Sequence, residues 1–172
     1  RGLLVPWDTL TPAELLELFA DRRHVVRETA VNEAVSRGAG MISFLISAIK
    51  AADPLVRRHA ILALGRLSQG PLLAKESVSG LMQAVGDSLP ELRQLACRSL
   101  GFSHGPVDIA GLCSLLQDSN PHVRRQAQTT LGMRGDLSAV QALVQCLTRP
   151  DIDRSERHAI VYALIEIGDV QA

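Results

Sequence analysis

Residues 54–69 read PLVRRHAILALGRLSQ, and residues 154–169 read RSERHAIVYALIEIGD. Both contain the string Arg-His-Ala-Ile and, soon after, an Ala-Leu pair. Laid against VRRHAILALG from Val56, three further copies appear: VRETAVNEAV from Val26, LRQLACRSLG from Leu92 and VRRQAQTTLG from Val123. With ERHAIVYALI from Glu156, the starts fall 30, 36, 31 and 33 residues apart. A phrase returning at a near-constant period signals a repeat architecture, in which each unit buries its apolar face only against its neighbours. The fifth copy aligns best by Arg157 and the pair Ala163-Leu164, so Ile160 stands where the others carry Ala30, Ala60, Ala96 and Ala127.

Each phrase reads at helical period. Val56, Ala60, Ala63, Leu64 and Leu67 recur at spacings of three and four and form one stripe. The small residue in mid-stripe lets a second helix approach closely. After a turn comes a second amphipathic stretch, and these align without gaps. Ile42, Leu45, Ile46 and Ile49 correspond to Val78, Leu81, Met82 and Val85. Ile109, Leu112, Cys113 and Leu116 follow, then Val140, Leu143, Val144 and Leu147. The phrases are termed A helices below and the second stretches B helices. The expected fold is all-α, a right-handed solenoid of helix pairs. Its predicted units are 22–52, 53–87, 88–118, 119–150 and a truncated 151–172. Residues 1–21 form an N-terminal segment with a short capping helix.

Punctuation supports this division. Asp21, Asp87, Asp118 and Asp151 lie five residues before the A phrase, where an Asp can cap a helix; Asp53 lies three before, which implies a shortened approach to the second unit. Pro54, Pro90 and Pro121 sit where helices should start, and Gly135-Asp136 and Gly168-Asp169 read as A-to-B turns. Thr11-Pro12-Ala13-Glu14 is a capping-box pattern that opens the short helix LLELFA, expected to cover the first unit.

Composition narrows the function classes. Lys plus Arg and Asp plus Glu both number 18, so no net field steers the chain to nucleic acid or anionic membrane. The 172 residues include one Trp, one Tyr and three Phe, and no apolar run reaches membrane-spanning length. Cys97, Cys113 and Cys146 show neither CxxC nor CxxCH spacing and read as buried free thiols. His24, His59, His104, His122 and His158 are scattered, without HExxH or a His/Cys cluster, and read as solvated surface residues. No catalytic residue, metal ligand or cofactor is expected.

Two sets of residues are candidates for an interaction role. The first is an Arg/Asp ladder, with Arg27, Arg57, Arg93, Arg124 and Arg157 expected to meet Asp21, Asp87, Asp118 and Asp151 of adjoining turns. Its competing reading is a phosphate-binding ridge, to which Arg58 and Arg125 would also belong. The second is the outward row of the B helices: Ser43, Ser47, Lys50, Ser79, Gln83, Ser114, Gln117, Gln141, Gln145 and Thr148. This row is polar, with one Lys and no aromatic, and so suits a protein partner better than a nucleic acid.

The consensus VRRxAxxALG, the Gly-Asp turn and the Asp-terminated second helix resemble HEAT-like repeats of the phycobilisome-lyase type over residues 21–172. More narrowly, RGLLVPWDTLTPAEL at 1–15 and ERHAIVYALIEIGD at 156–169 resemble the edges of the HEAT-like segment in large membrane-bound dehydrogenases of the planctomycete type. That resemblance implies a connector between a β-propeller and a c-type haem domain, with an extracytoplasmic location. Neither the propeller's catalytic residues nor a haem-binding motif has a counterpart here. The opening Arg and the fifth phrase, cut off before its B helix, read as boundaries of a longer chain. Ile160, Leu164 and Ile167 should then face a missing B helix, or that face should be hidden by dimerising or by contact with the chain's own tail. The rival readings are a free-standing peptide-binding adaptor, a bilin lyase-like protein, and a nucleic-acid-binding HEAT-like enzyme, against which the neutral B row argues.

Overall fold

The computed structural model describes residues 5–170, and among them the secondary structure is entirely helical. The ten α-helices are α1 (Pro12–Glu17), α2 (His24–Ser36), α3 (Ala39–Ala48), α4 (Pro54–Leu67), α5 (Ala74–Ala84), α6 (Pro90–Gly101), α7 (Ile109–Ser114), α8 (Pro121–Arg134), α9 (Val140–Cys146) and α10 (Arg154–Val170). Helices α2, α4, α6, α8 and α10 stack in succession as the A layer. Each of α3, α5, α7 and α9 packs against a neighbouring A helix, and the pairs form a right-handed solenoid. The predicted stripe is its core: Ala60, Ala96, Ala127 and Ile160 are wholly buried, as are Leu64, Leu100 and Leu131. Leu15 and Phe19, from the N-terminal helix and the 3₁₀ turn after it, complete the core at the first unit.

Local chemistry sets the helix boundaries. Thr11 and Glu14 form the reciprocal capping box that starts α1, and Pro54, Pro90 and Pro121 open α4, α6 and α8. Gly135 ends α8 with φ +63°, a left-handed conformation that glycine adopts without strain, and Asp136 then caps the next turn through Ser138. Arg37 ties down the N-terminal segment, donating to the carbonyls of Leu10 and Trp7 at 2.6 and 2.7 Å.

The expected turn at Gly168-Asp169 does not form, because α10 runs on to Val170. At Gly135 a folded-back α9 competes with the helical ladder. After Gly168 no B helix follows within the described residues, so continuing the helix keeps its carbonyls bonded. Ile160 and Ile167 are also placed differently from expectation: both are buried, and Leu164 is half-buried. Those positions face the preceding unit, which is present. The positions a following unit would cover are Val161, Ile165 and, on α9, Val144, exposed by 45%, 52% and 46%. The equivalent positions within the stack show why. A Cβ on Gly132 would lie 2.7 Å from Ala163 Cα, and one on Gly80 would lie 2.9 Å from Ile46 Cγ1.

The ladder has a repeating geometry. Arg57 donates through Nη1 to the carbonyls of Ala51 and Ala52 in its own turn, and through Nε and Nη2 to the Asp87 carboxylate at 2.8 and 3.2 Å. Arg93 repeats this with the Asp87 and Ser88 carbonyls and the Asp118 carboxylate at 2.7 and 2.8 Å. Each of these Asp side chains also accepts the backbone N–H two residues on, from Leu89 and Asn120. They therefore serve as turn anchors rather than helix caps; the caps are Asp53, Asn120 and Asp153.

Three rungs depart from the predicted pairing. Arg124 meets Glu156 at 2.6 and 2.8 Å instead of Asp151, because Glu156 at the head of α10 is almost fully buried while Asp151 turns out to Arg149. Breaking a buried pair of this kind costs about 3–5 kcal/mol. Arg157 lies exposed, with no following carboxylate among the described residues. Arg27 reaches only the carbonyls of Asp21 and Arg22, the Asp21 carboxylate being taken by Arg23, and its buried Nε finds no partner. The cause is one residue. The approach to the second unit is not shortened. Ala51 occupies the place of Asp87 and Asp118, as Arg57's bonds to Ala51 and Ala52 show, and Asp53 is the cap.

Two outcomes follow from this geometry. Ala51→Asp supplies the missing carboxylate to Arg27 and should raise stability by about 1 kcal/mol, or ~2–4 °C in thermal melts. The gain should vanish when Arg27 is Ala. The pH dependence comes from Asp118, which the Arg93 guanidinium holds below the ordinary carboxylate value of 3.8. A depressed folded-state value gives stability that is present above the unfolded value and lost as pH falls through the folded one. Denaturant titrations from pH 6 to pH 2 should therefore show an acid limb that is flatter in Asp118→Asn, which is already less stable at pH 6.

Candidate protein-binding surface

All ten residues of the predicted row, Ser43, Ser47, Lys50, Ser79, Gln83, Ser114, Gln117, Gln141, Gln145 and Thr148, are exposed. They stand in or just after α3, α5, α7 and α9, on the side away from the A layer. Several bond only to their own helices: Ser47 donates to the Ser43 carbonyl at 3.0 Å, Ser114 to that of Gly111 at 2.7 Å and Thr148 to that of Gln145 at 2.8 Å. Ser79, Gln83 and Ser114 converge on a shallow groove of about 620 Å³ between α5 and α7. Met82, Val78 and Val85 give it an apolar floor, while Lys75 and Asp108 stand at its edges. Asp108 is partly engaged as the cap of α7, accepting from Gly111 N–H at 3.1 Å. The sequence row misses Lys75, Met82 and Asp108, because a helical-period reading assigns Met82 to the core and Asp108 to a turn. The groove brings together an apolar strip, neutral hydrogen-bonding groups and one charge of each sign, a combination suited to a polypeptide.

The three thiols are free, while His122 and His158 share one cleft over α8 and α10. Burial pushes the Cys97 thiol up to about 12, and it raises Cys113 and Cys146 as well. A thiol held that high is protonated at neutral pH and acts as an apolar filler. His59 departs from the solvated reading. It is 7% exposed, with Nδ1 2.7 Å from the Leu55 carbonyl and its ring near Phe19, and burial lowers its pKa. It is thus a neutral core imidazole donating from Nδ1. Among the described residues no group of three or more His, Cys, Asp or Glu could hold a metal ion, and no helix is long and apolar enough to cross a membrane.

The match to known families now has its structural setting. The HEAT-repeat family model matches residues 42–118 and 78–165. The chain belongs to the HEAT-repeat family. Its fold is similar to that in the CpcE–CpcF complex of phycocyanin lyase from Nostoc, with a TM-score of 0.71 at 19% identity over 89% of this chain and 97% of that one. It is also similar to human deoxyhypusine hydroxylase, with a TM-score of 0.64 at 20% identity over 92% of this chain and 62% of that one. A designed armadillo repeat protein in complex with the peptide (KR)4 gives 0.60 at 16% identity, covering 90% and 81%. At these identities the likeness concerns the fold. No curated protein sequence matches this HEAT-repeat chain.

Proposed function

We propose that this HEAT-repeat chain is a non-catalytic scaffold that binds protein through the outward row of its B helices. The groove between α5 and α7 carries the reading, since it joins the row's Ser79, Gln83 and Ser114 to an apolar floor. In this reading the row is an extension of that groove along α3 and α9. The phycocyanin lyase relative is itself a complex of two proteins, and the designed armadillo relative holds a peptide, so this architecture can hold a polypeptide. Enzymatic action would need a convergent set of reactive groups; the three thiols are held protonated, and His59 is spent on the Leu55 carbonyl.

The resemblance at residues 1–15 and 156–169 supports a more specific role, as a connector between neighbouring domains of a dehydrogenase-like protein with a c-type haem. The bound polypeptide would then be a surface of the adjoining propeller or haem domain. The test combines the parent gene with a binding experiment. The reading expects coding sequence for a propeller before residue 1 and a CxxCH motif after residue 172. The flanking domains, produced separately, should shift the amide resonances of Ser79, Gln83 and Ser114. Gln83→Trp, which fills the groove, should weaken that binding at least ~10-fold without lowering the melting temperature. Binding unaffected by Gln83→Trp removes the groove from the reading. Turnover of a sugar alcohol, or a spectral change on adding haem or a bilin to this chain alone, would give it catalytic or cofactor chemistry instead.

A further inference from the structure

Six of the sixteen arginines of this neutral chain are held in ion pairs. Arg23, Arg37, Arg57, Arg93, Arg124 and Arg149 each contact a carboxylate. Arg125, Arg154 and Arg157 do not: among the described residues none of the three makes an ion pair, and all three line one open cleft of about 760 Å³. The cleft lies across the first turns of α8 and α10, with Gln94 of α6 at its far edge. His122 and His158 line it as well, and no acidic residue does. Of the carboxylates beside it, Glu166 lines an adjoining hollow with Thr129, Ser155, His158 and Ala159. Glu156 turns inward to Arg124, and Asp153 caps α10 by accepting the Glu156 N–H at 2.7 Å, while still acting on Arg125 through its charge. Arg125 is held in place, donating from Nη2 to His122 Nδ1 at 2.6 Å. A guanidinium can only donate, so Nδ1 is the acceptor and the His122 proton sits on Nε2.

We infer that this cleft binds an acidic protein segment, an extended stretch carrying two or more carboxylates, on the A-helix side of the solenoid opposite the B-helix row. Three guanidiniums on two helix walls match successive carboxylates, each able to accept a bidentate pair. The trough also includes Gln126, Thr129 and Ala159, which suits a peptide better than a lone inorganic anion. A nucleic-acid strand would have to continue along the A layer, where α6 presents Glu91 and Gln94 and α2 presents Glu28. The aromatic beside it, Tyr162, packs tilted against His158 with ring centroids 4.8 Å apart, leaving no flat platform for a base. The corresponding cleft between α2 and α4 includes Glu28 among its cations and lacks this one-sided charge. The inference rests on a different surface from the α5–α7 groove, so either can fail alone.

The experiment titrates a fluorescein-labelled eight-residue Glu/Asp peptide with the full chain and follows anisotropy. Binding is expected in the micromolar range at ~50 mM salt and should weaken several-fold at ~300 mM, as an ionic contact must. The double variant Arg125→Glu/Arg157→Glu should lose at least ~10-fold in affinity. The milder Arg125→Gln/Arg157→Gln should also lose affinity, with a melting temperature that confirms the fold. Arg58→Glu, in the other cleft, and Gln83→Trp, in the groove, should bind as the parent does. The inference is overturned if the parent chain ignores the acidic peptide at low salt, or if either double variant binds it normally. It is equally overturned if an oligonucleotide of the same charge binds more tightly than the peptide at both salt concentrations, through Arg125 and Arg157.

Discussion

Close approach of consecutive A helices is the constraint on which the other features depend. It requires residues with little or no side chain where one helix crosses the next, and the chain places Gly65, Gly101 and Gly132 there. A Cβ on Gly65 would lie 2.8 Å from Ser99 Oγ, one on Gly101 3.2 Å from Met133 Sδ, and one on Gly132 2.7 Å from Ala163 Cα. At this spacing an arginine in the first turn of one A helix reaches the carboxylate of the next unit while its other nitrogen bonds carbonyls of its own turn. The ladder is therefore a consequence of the packing, and it sets the register of that packing in return. Its charges are largely desolvated: side-chain exposure is 12% and 5% for Arg57 and Asp87, and 9% and 1% for Arg124 and Glu156. Buried pairs of this kind add little net stability over apolar replacements, but an unmatched partner is costly, which disfavours a shifted stack.

The same packing leaves a whole side-chain amide unsatisfied inside the stack. Gln128 of α8 takes the position held by Ile61 and Cys97 in earlier units, is fully buried, and neither atom of its amide reaches a partner. Unsatisfied polar atoms of this kind each carry a cost of roughly 1–3 kcal/mol. Gln128 lies on α8, the helix that also carries Arg124 and Arg125. Between α8 and α10 the ladder exchanges Asp for Glu156, and three unpaired arginines gather on the outer side.

The two surfaces differ in chemistry because they belong to different layers. The B helices are short and present Ser, Gln and Thr outward, giving a neutral, hydrogen-bonding face with an apolar groove. The A helices carry the ladder, and wherever carboxylates keep pace with arginines the face is electrically neutral. Where Asp151 turns away to Arg149 and Glu156 turns inward, the balance fails locally although the whole chain has no net charge. Net charge consequently says little about the binding capacity of a particular face.

Much of the fold was legible in residue order alone. The period of the VRRxAxxALG phrase, its small central residues, the Thr11–Glu14 box and the prolines at helix starts are local signals. They determine helices, their boundaries and a stacked, all-α arrangement, because helical periodicity and capping act within a few residues. The outward B row was legible for the same reason. Which carboxylate each arginine meets was not, since Asp151 and Glu156 lie five residues apart and only the depth of α10 in the stack decides between them. Nor could sequence spacing show that Ala51 replaces an acid, that His59 is buried, or that α10 continues through Gly168. The groove between α5 and α7 and the cleft over α8 and α10 each gather residues from separate helices. Their existence depends on distances across the stack, which tertiary packing alone sets.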